Sequence, residues 1–387
     1  MIMSLLLTTP AFSAAFDEQD GQAPEATEED LTEELERQIS KLDLEAWQSY
    51  FKNGELASRL GFKSADEMLL RCAEGSPTSS PQSIMDIVKE LILAELSGSR
   101  AAIAGLTAAA LVTGLAGILP GKSMRPALGF ALSSASVLAV ASAFTALCAE
   151  AAKSIHSTAE FAEKALPVMS VLLASVGAST SAGIFRPFML FMSGSMSMLM
   201  ERVVLPLILS AGIVGVIDGL GDGGRLSQLR ELLLKTAKWI MGLSAVVYFA
   251  VCAMQGMTAA AADGISVRTA RYTLDKLLPS TNGLVGGSVD TFMSCALLVK
   301  NGAGVASVVI MLGIIVRPLL RIAVGGFVFR ISAALSRPAA APGIVKMLES
   351  AADAASYLFG TAAVTGMMFV ITVLVFTAAG GISAGLW

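Results

Sequence analysis

The chain has 387 residues, of which 54% are hydrophobic and only 15% are charged, and its mean hydropathy is +0.69. The apolar share is above that of an ordinary soluble domain and the charged share is well below it, so the composition predicts an all-α polytopic membrane protein. The net charge is −4, with acids crowded near the N-terminus and bases spread through the apolar part, so no basic surface indicates a nucleic-acid partner.

The first 97 residues differ in composition from the remainder. Residues 1–15 form a short apolar run that ends in small residues, which predicts a signal peptide, although no Lys or Arg precedes the run. Residues 17–36 hold many acids and no base, which is typical of a disordered leader. Apolar residues at helical spacing then predict two or three short amphipathic helices over 31–72. We therefore predict an acidic extracytoplasmic helical domain and linker over 16–97, followed by a polytopic membrane domain over 98–387.

The membrane domain contains several stretches that approach the roughly 20 apolar residues needed to cross a bilayer. These stretches are 101–119, 126–149, 166–185, 188–200, 203–217, 239–262, 301–316 and 357–381. The number of spans falls if the short runs 188–200 and 203–217 form one kinked helix. We predict about seven or eight spans, some of them short or re-entrant.

The stretch 165–219 is the most unusual part of the membrane domain. Its only charged residues are Arg186, Glu201, Arg202 and Asp218, and three prolines interrupt it. Charges at membrane depth are costly and usually face the protein interior or water, so Glu201 and Arg202 are candidates for an intramembrane polar site. The alternative is that they cap a tight turn between two short helices, and the sequence leaves both possibilities open.

A second unusual region covers residues 263–301. It contains too many charges to span the membrane twice, yet its apolar runs are too long for a free loop. A re-entrant or surface-lying pair of helices fits this pattern best. The residues 226–238 alternate Leu with charged side chains at helical spacing, which predicts a separate interfacial amphipathic helix.

Lys and Arg in short loops set the orientation of a membrane protein. If the N-terminal domain is exported, the cytoplasmic loops hold more bases than the opposite side does, and the C-terminus lies outside. The cytoplasmic set is Lys122, Arg125, Arg186, Arg225, Arg230, Lys235, Lys238, Arg317, Arg321, Arg330, Arg337 and Lys346.

Residues 219–224 contain both a GxGxxG and a GxGD pattern. A dinucleotide site also needs a preceding strand and an acid about twenty residues later, and neither is indicated here. The GxGD pattern of intramembrane aspartyl proteases needs a second aspartate on another span, because two carboxylates must share a proton. Asp218, Asp263 and Asp290 lie at the edges of spans instead. A flexible cytoplasmic turn is therefore favoured over either enzyme.

Metal and redox chemistry have little support in the sequence. The four cysteines are far apart and form no CxxC pair, and the single histidine, His156, falls in a polar stretch that predicts a solvated loop. One histidine also excludes a His-rich metal cage and an HExxH site. We predict no catalytic residue, no cofactor-binding residue, no metal site and no cofactor.

Short polar and proline-containing motifs within the apolar sequence resemble those of one family. The motifs are LDLE at 42–45, LPVMS at 166–170, RPF at 186–188, LPL at 205–207, QG at 255–256, DGISVRTARY at 263–272, GGSVDT at 286–291 and LVKNGAG at 298–304. Through these motifs the chain resembles the stage III sporulation protein AE family of endospore-forming bacteria over most of its length.

The resemblance implies a non-enzymatic component of the mother-cell membrane around the forespore. It would belong to a secretion-like channel complex, with the other stage III sporulation A-operon membrane proteins, stage II sporulation protein Q and the lipid bilayer as partners. The family carries over no catalytic residues. The candidate polar, partner or pore residues are Glu201, Arg202, Arg186, Gln255, Asp263, Arg268, Arg271, Asp290 and Lys300. A secondary transporter with discontinuous helices is the alternative.

Overall fold

The computed structural model describes residues 45–53, 61–73, 81–116, 125–176, 179–219, 226–277, 285–338, 340 and 342–378, and every regular element among them is a helix. This confirms the predicted all-α class. The predicted signal peptide and acidic leader lie outside the described residues, as does most of the glycine-rich turn at 219–224.

Ten α-helices and one π-helical segment make up the described residues. The helices are α1 Glu45–Asn53, α2 Ala65–Ala73, α3 Pro81–Gly98, α4 Arg100–Ala116, α5 Arg125–Ser175, α6 Ser179–Leu199, α7 Leu205–Asp218, α8 Ser227–Leu277, α9 Val285–Ser336 and α10 Pro342–Ala378. The π segment, Met200–Val204, joins α6 to α7.

Five of these stretches are long and apolar enough to cross a membrane. They are Gly129–Ser175, Pro187–Asp218, Ser227–Met254, Cys295–Ser336 and Pro342–Ala378. A sixth is possible if Lys89–Gly98 and Arg100–Thr113, which bend by 41° relative to each other, form one broken span. The described residues thus support a polytopic membrane protein with fewer spans than the seven or eight predicted.

The lower number arises because helices continue through charged residues and prolines. The predicted span 126–149 and the first half of 166–185 share α5, which passes through Pro167 without ending. The runs 188–200 and 203–217 share one helical path through the π segment. Proline is tolerated in such helices where neighbouring helices cover the freed carbonyl.

Contacts between the long helices show that successive spans alternate in direction. Helix α10 is antiparallel to α9, because Gly304 contacts Thr377 whereas Gly366 contacts Ile315. It is parallel to α8, because Arg230 contacts Asp353 and, further along both helices, the Tyr248 hydroxyl forms a hydrogen bond with the Thr372 hydroxyl.

Contacts of the remaining spans complete this pattern. Helix α7 is antiparallel to α10, because Gly215 contacts Ser350 whereas Gly219, further along α7, contacts the earlier Gly343. The same path is antiparallel to α5, because Glu201 lies near His156 whereas Gly212 contacts the earlier Phe144. The five spans therefore form an up-down-up-down-up bundle.

The short N-terminal helices pack on this bundle. Ser64 caps the start of α2, where the Glu67 N–H donates to Ser64 Oγ at 3.1 Å, and the Lys63 N–H donates to Glu67 Oε2 at 3.0 Å. Trp47 of α1 is fully buried, with its ring centroid 6.2 Å from that of Phe161 in α5. The same core thus joins α1 and α2 to the long helices.

The regions predicted as an interfacial amphipathic helix and as a re-entrant or surface-lying pair of helices are helical, and each is continuous with a longer helix. Residues 263–277 complete α8, and α9 begins at Val285, while 227–238 are the first turns of α8. At about 1.5 Å per residue, α8 is roughly 77 Å long, far more than the ~30 Å hydrocarbon thickness of a bilayer. Hence α8 must extend well beyond the membrane.

Candidate functional site

Glu201 and Arg202 lie in the π segment within the second candidate span. The Leu205 N–H donates to the Met200 carbonyl, five residues earlier, which is the π-helical pattern. Pro206 explains the change, since it has no N–H to donate to the carbonyl four residues before it. The backbone angles stay helical on both sides, at φ −62° and ψ −45° for Leu199 and φ −60° and ψ −47° for Leu205. The tight-turn alternative is therefore wrong.

The carboxylate of Glu201 faces α5, where it meets His156. His156 Nδ1 lies 3.7 Å from Glu201 Oε1, and Ser197 Oγ donates to the same oxygen at 3.4 Å. The side chain of His156 is 73% exposed and that of Glu201 is 30% exposed. His156 was predicted in a solvated loop. That prediction is right about exposure and wrong about structure, because the residue lies in the middle of α5.

These residues line an open groove of about 260 Å³ between α5 and the α6–π segment, which we name the Glu201 groove. Its α5 wall carries His156, Ala159, Glu160 and Glu163, and the facing wall carries Gly194, Ser197, Met198, Glu201 and Arg202. The lining positions on each wall recur at intervals of three and four residues. Each wall is therefore one face of a helix, and the two polar faces oppose each other.

Helix α1 packs beside the groove through Lys164. Lys164 Nζ bonds Glu160 Oε1 at 2.8 Å, lies 3.5 Å from the Tyr50 hydroxyl, and sits 5.1 Å from the centroid of the Tyr50 ring. Burial and the neighbouring Glu160 carboxylate raise the pKa of Tyr50, so its hydroxyl stays protonated at neutral pH. The polar face of α5 thus connects the groove to the N-terminal helices.

A separate set of ion pairs joins four helix ends. Asp218 at the end of α7 accepts the Leu226 N–H at 3.0 Å and pairs with Lys346 of α10 at 2.7 Å. Asp353 of α10 pairs with Arg230 of α8 at 2.7 Å and with Arg330 of α9 at 3.6 Å.

Together with the 2.5 Å pair between Arg337 and Glu349, these contacts form what we call the ionic end of the bundle. Asp218 follows Glu201 by seventeen residues in the numbering, or ~26 Å of helix, so the groove and the ionic end are distinct sites.

A third polar contact crosses the bundle at Arg321. Its Nε lies 3.2 Å from Glu95 of α3, and its Nη1 lies 3.3 Å from Glu150 of α5.

Arg321 was predicted in a cytoplasmic loop, together with Arg317 and Arg186. All three instead lie inside helices, the first two in α9 and Arg186 in α6. The α5–α6 connection, near Arg186, is at the bundle end opposite the ionic end, because the long helices alternate in direction.

Of the remaining predicted residues, only Lys300 has a described side chain, and it does not line the groove. Lys300 is fully buried in α9, within two residues of Gly302, where α2 contacts the helix. The side chains of six others lie outside the described residues, although their backbones are helical. These are Arg186 on α6, Gln255, Asp263, Arg268 and Arg271 on α8, and Asp290 on α9.

Sequence reasoning missed His156, Glu160 and Glu163 as residues that share the groove with Glu201. A signal was present, because these three residues are spaced by four and then three positions, as on one face of a helix. In the part of the chain that the structure describes, no group of three or more His, Cys, Asp or Glu side chains is placed to hold a metal ion. The groove is thus a polar site without metal-ligand geometry.

Comparison with known proteins gives one family. The sequence model of stage III sporulation protein AE matches residues 64–380, which include α2 to α10. The chain belongs to the stage III sporulation protein AE family. It is similar to stage III sporulation protein AE of Bacillus subtilis (strain 168), with 27% identity over 233 residues. That similarity covers 60% of this chain and 58% of the relative, which is less than two thirds of its length. No solved structure matches.

Proposed function

We propose that this chain is a non-enzymatic membrane subunit of a secretion-like channel complex that links mother cell and forespore and is required for late forespore development. The observation that carries the proposal is the family match over 64–380, which spans the whole helical bundle. A charged groove beside a π segment inside a candidate span is consistent with a role in a polar passage or a partner contact.

The proposed location is the mother-cell membrane around the forespore. The ionic end carries Arg230, Arg330, Arg337 and Lys346. Because Lys and Arg are enriched on the cytoplasmic side of membrane proteins, these residues favour a cytoplasmic location for this end. Helices α1 and α2 contact the other half of the bundle, and their proposed side is extracytoplasmic. The proposed partners are the other stage III sporulation A-operon membrane proteins and stage II sporulation protein Q, which would reach the protein from that side.

Deletion of the gene in a spore-forming host tests the function. We expect engulfment to finish, late forespore gene expression to fail, and mature spores to be lost. Wild-type protein expressed from a second locus should restore all three readouts. Normal spore numbers with normal late forespore expression in the deletion strain would rule the proposal out.

A secondary transporter is the second candidate, because a helix interrupted beside charged side chains also occurs at transporter substrate sites. The Glu201 groove is the observation that favours it. Purified protein in liposomes would then move a solute without any other subunit, and Glu201→Gln would reduce that transport. Absence of uptake across a panel of amino acids, peptides and ions would leave the channel subunit as the better account.

A further inference from the structure

We propose that the Glu201 groove binds one organic cation, an alkylammonium or guanidinium group carried by a basic side chain of a partner protein. The inference rests on the proposed function only in naming a partner protein as the source of the cation. The binding chemistry stands on the geometry of the groove.

The size of the groove favours a single side chain. Its volume of about 260 Å³ is below the ~300–1,000 Å³ of pockets that take drug-sized ligands. Gly194 keeps one wall open, since a Cβ placed on it would meet no atom within 4 Å. A slender alkyl chain that ends in a charged group matches this space.

The charge of the groove favours a cation. Its lining holds three carboxylates, from Glu160, Glu163 and Glu201, against the single guanidinium of Arg202. Lys164 pairs with Glu160 from outside the lining and neutralises one carboxylate. One negative charge then remains, which a single bound monocation would balance.

Glu201 has bonding capacity left for a ligand. Both of its contacts involve Oε1, and at 3.7 Å and 3.4 Å they are longer than the ~2.7–2.9 Å of a charge-assisted hydrogen bond between a cationic N–H and a carboxylate. Arg202 lines the same groove but forms no ion pair with Glu201 in the part of the chain that the structure describes. A guanidinium or ammonium group in the groove would give Glu201 the short contact that it lacks here.

The position of the groove suits a partner on the side of the N-terminal helices. Lys164 connects the Glu160 wall to Tyr50 of α1, so the groove lies next to the α1 surface. Opposite charges on two surfaces steer encounter and fix register more than they add affinity. A partner with an exposed Lys or Arg near this surface would thus be both attracted and aligned.

Protection of an engineered cysteine tests the inference on the full-length protein in detergent. Met198 lines the groove and is 53% exposed, so Met198→Cys provides a maleimide-reactive thiol. Cys148, Cys252 and Cys295 are buried, and Cys72 is changed to Ser to remove background labelling. N-acetyl-arginine amide is the probe, and N-acetyl-citrulline amide, which has nearly the same shape without the charge, is its control.

We expect the arginine probe to slow labelling of Met198→Cys and the citrulline probe to leave it unchanged. Protection should be lost in Glu163→Gln/Glu201→Gln, which keeps side-chain size. It should also be lost in Gly194→Leu, which fills the groove, but not in Gly183→Leu, a glycine of the same helix that likewise has open space at its Cβ. Each variant is first checked for a wild-type elution volume in size-exclusion chromatography.

Equal protection by the two probes, or full protection in the double Gln variant, would overturn the cation site. Protection by spermidine at much lower concentration than by the arginine probe would overturn the partner side chain as the source and indicate a free polyamine. These outcomes are independent of the deletion phenotype, so the inference can fail while the proposed function stands, and the reverse also holds.

Discussion

Glu201 takes its contacts from other helical turns and not from Arg202, although the two charges are adjacent in the chain. Neighbouring helical residues point to different sides, whereas residues three or four apart share a face, and Ser197 precedes Glu201 by four positions. The sequence could identify Glu201 and Arg202 as unusual because each is a charge within an apolar run. The spacing of His156, Glu160 and Glu163 could place them on one helical face, but it could not place that face opposite Glu201, since that contact depends on how α5 packs against the α6–π segment.

At the residue scale, we predict a strong pH dependence for labelling of Cys72. Burial raises the pKa of this thiol to about 11, and the thiolate is the reactive form. Its maleimide reaction should therefore be slow at pH 7 and accelerate about tenfold per pH unit up to roughly pH 10. Rates are measured by mass spectrometry on short exposures.

The control is Met198→Cys in a Cys72→Ser background, because Met198 is exposed. Labelling of the control should level off near pH 9, where an ordinary thiol is mostly ionised. The same plateau for Cys72 would show that its thiol is not shielded by α2 packing.

At the element scale, the main lesson concerns where helices end. Composition and apolar runs were sufficient to predict helices, because backbone groups in a bilayer must pair internally. Charged residues at 150–164 suggested a loop, yet their spacing allows α5 to continue with its charges on one side. Pro206 suggested a break, yet it only widens one turn. Polar residues and prolines mark the ends of helices in water more reliably than in a bundle whose neighbours cover them.

Docking of α2 on α9 depends on Gly302. A Cβ at this position would lie 2.7 Å from the backbone N and 2.9 Å from the Cα of Ala73. Gly302→Val should therefore displace α2, at a cost of ~1–3 kcal/mol typical of overpacking. Met68 of α2 is fully buried, so Met68→Cys reports the displacement through faster maleimide labelling.

Gly242→Val is the matched control, because a Cβ there meets nothing within 4 Å. Its Met68→Cys labelling should remain slow. If Gly302→Val also leaves labelling slow, the close approach of α2 and α9 is not what holds α2 in place.

The pair between Asp218 and Lys346 joins α7 to α10. Asp218 is 6% exposed, so Lys346→Met leaves a nearly buried carboxylate without its cation. We expect a loss of ~1–3 kcal/mol, below the value for fully buried pairs because Lys346 is itself 43% exposed. Thermal unfolding in detergent should show a lower midpoint.

Adding Asp218→Asn to Lys346→Met should recover part of the loss, because the uncompensated charge is then gone. Lys238→Met is the control at an exposed lysine of α8 and should shift the midpoint little. Additive losses in the double variant would contradict a direct coupling of the two residues.

At the scale of the whole molecule, the alternating directions of the long helices place the α1–α2 pair and the ionic end on opposite halves of the bundle. Single cysteines at Ser49, exposed on α1, and Gln228, exposed on α8, should therefore label from opposite sides of the membrane. In sporulating cells, a membrane-impermeant maleimide delivered from the extracytoplasmic side should reach Ser49→Cys only.

Permeabilised cells serve as the positive control, since both cysteines should then react. Labelling of Gln228→Cys alone in intact cells would reverse the proposed orientation and leave the bundle unchanged. Labelling of both would contradict the separation of the two halves by a membrane.

The groove depends on the number of residues in the π segment as well as on their chemistry. Met200–Val204 closes its hydrogen bond over five residues, so it holds one residue more than an α-helical turn would need. Removing Val203, which does not line the groove, would let Leu205 bond Met200 across an ordinary α-helical turn, so α6 and α7 would keep their present register. Gly194, Ser197 and Met198 would then stay against α5, and only the charged residues of the segment, Glu201 and Arg202, would shift. A lineage that loses one residue here would therefore keep the α6 wall of the groove and change the placement of its charges.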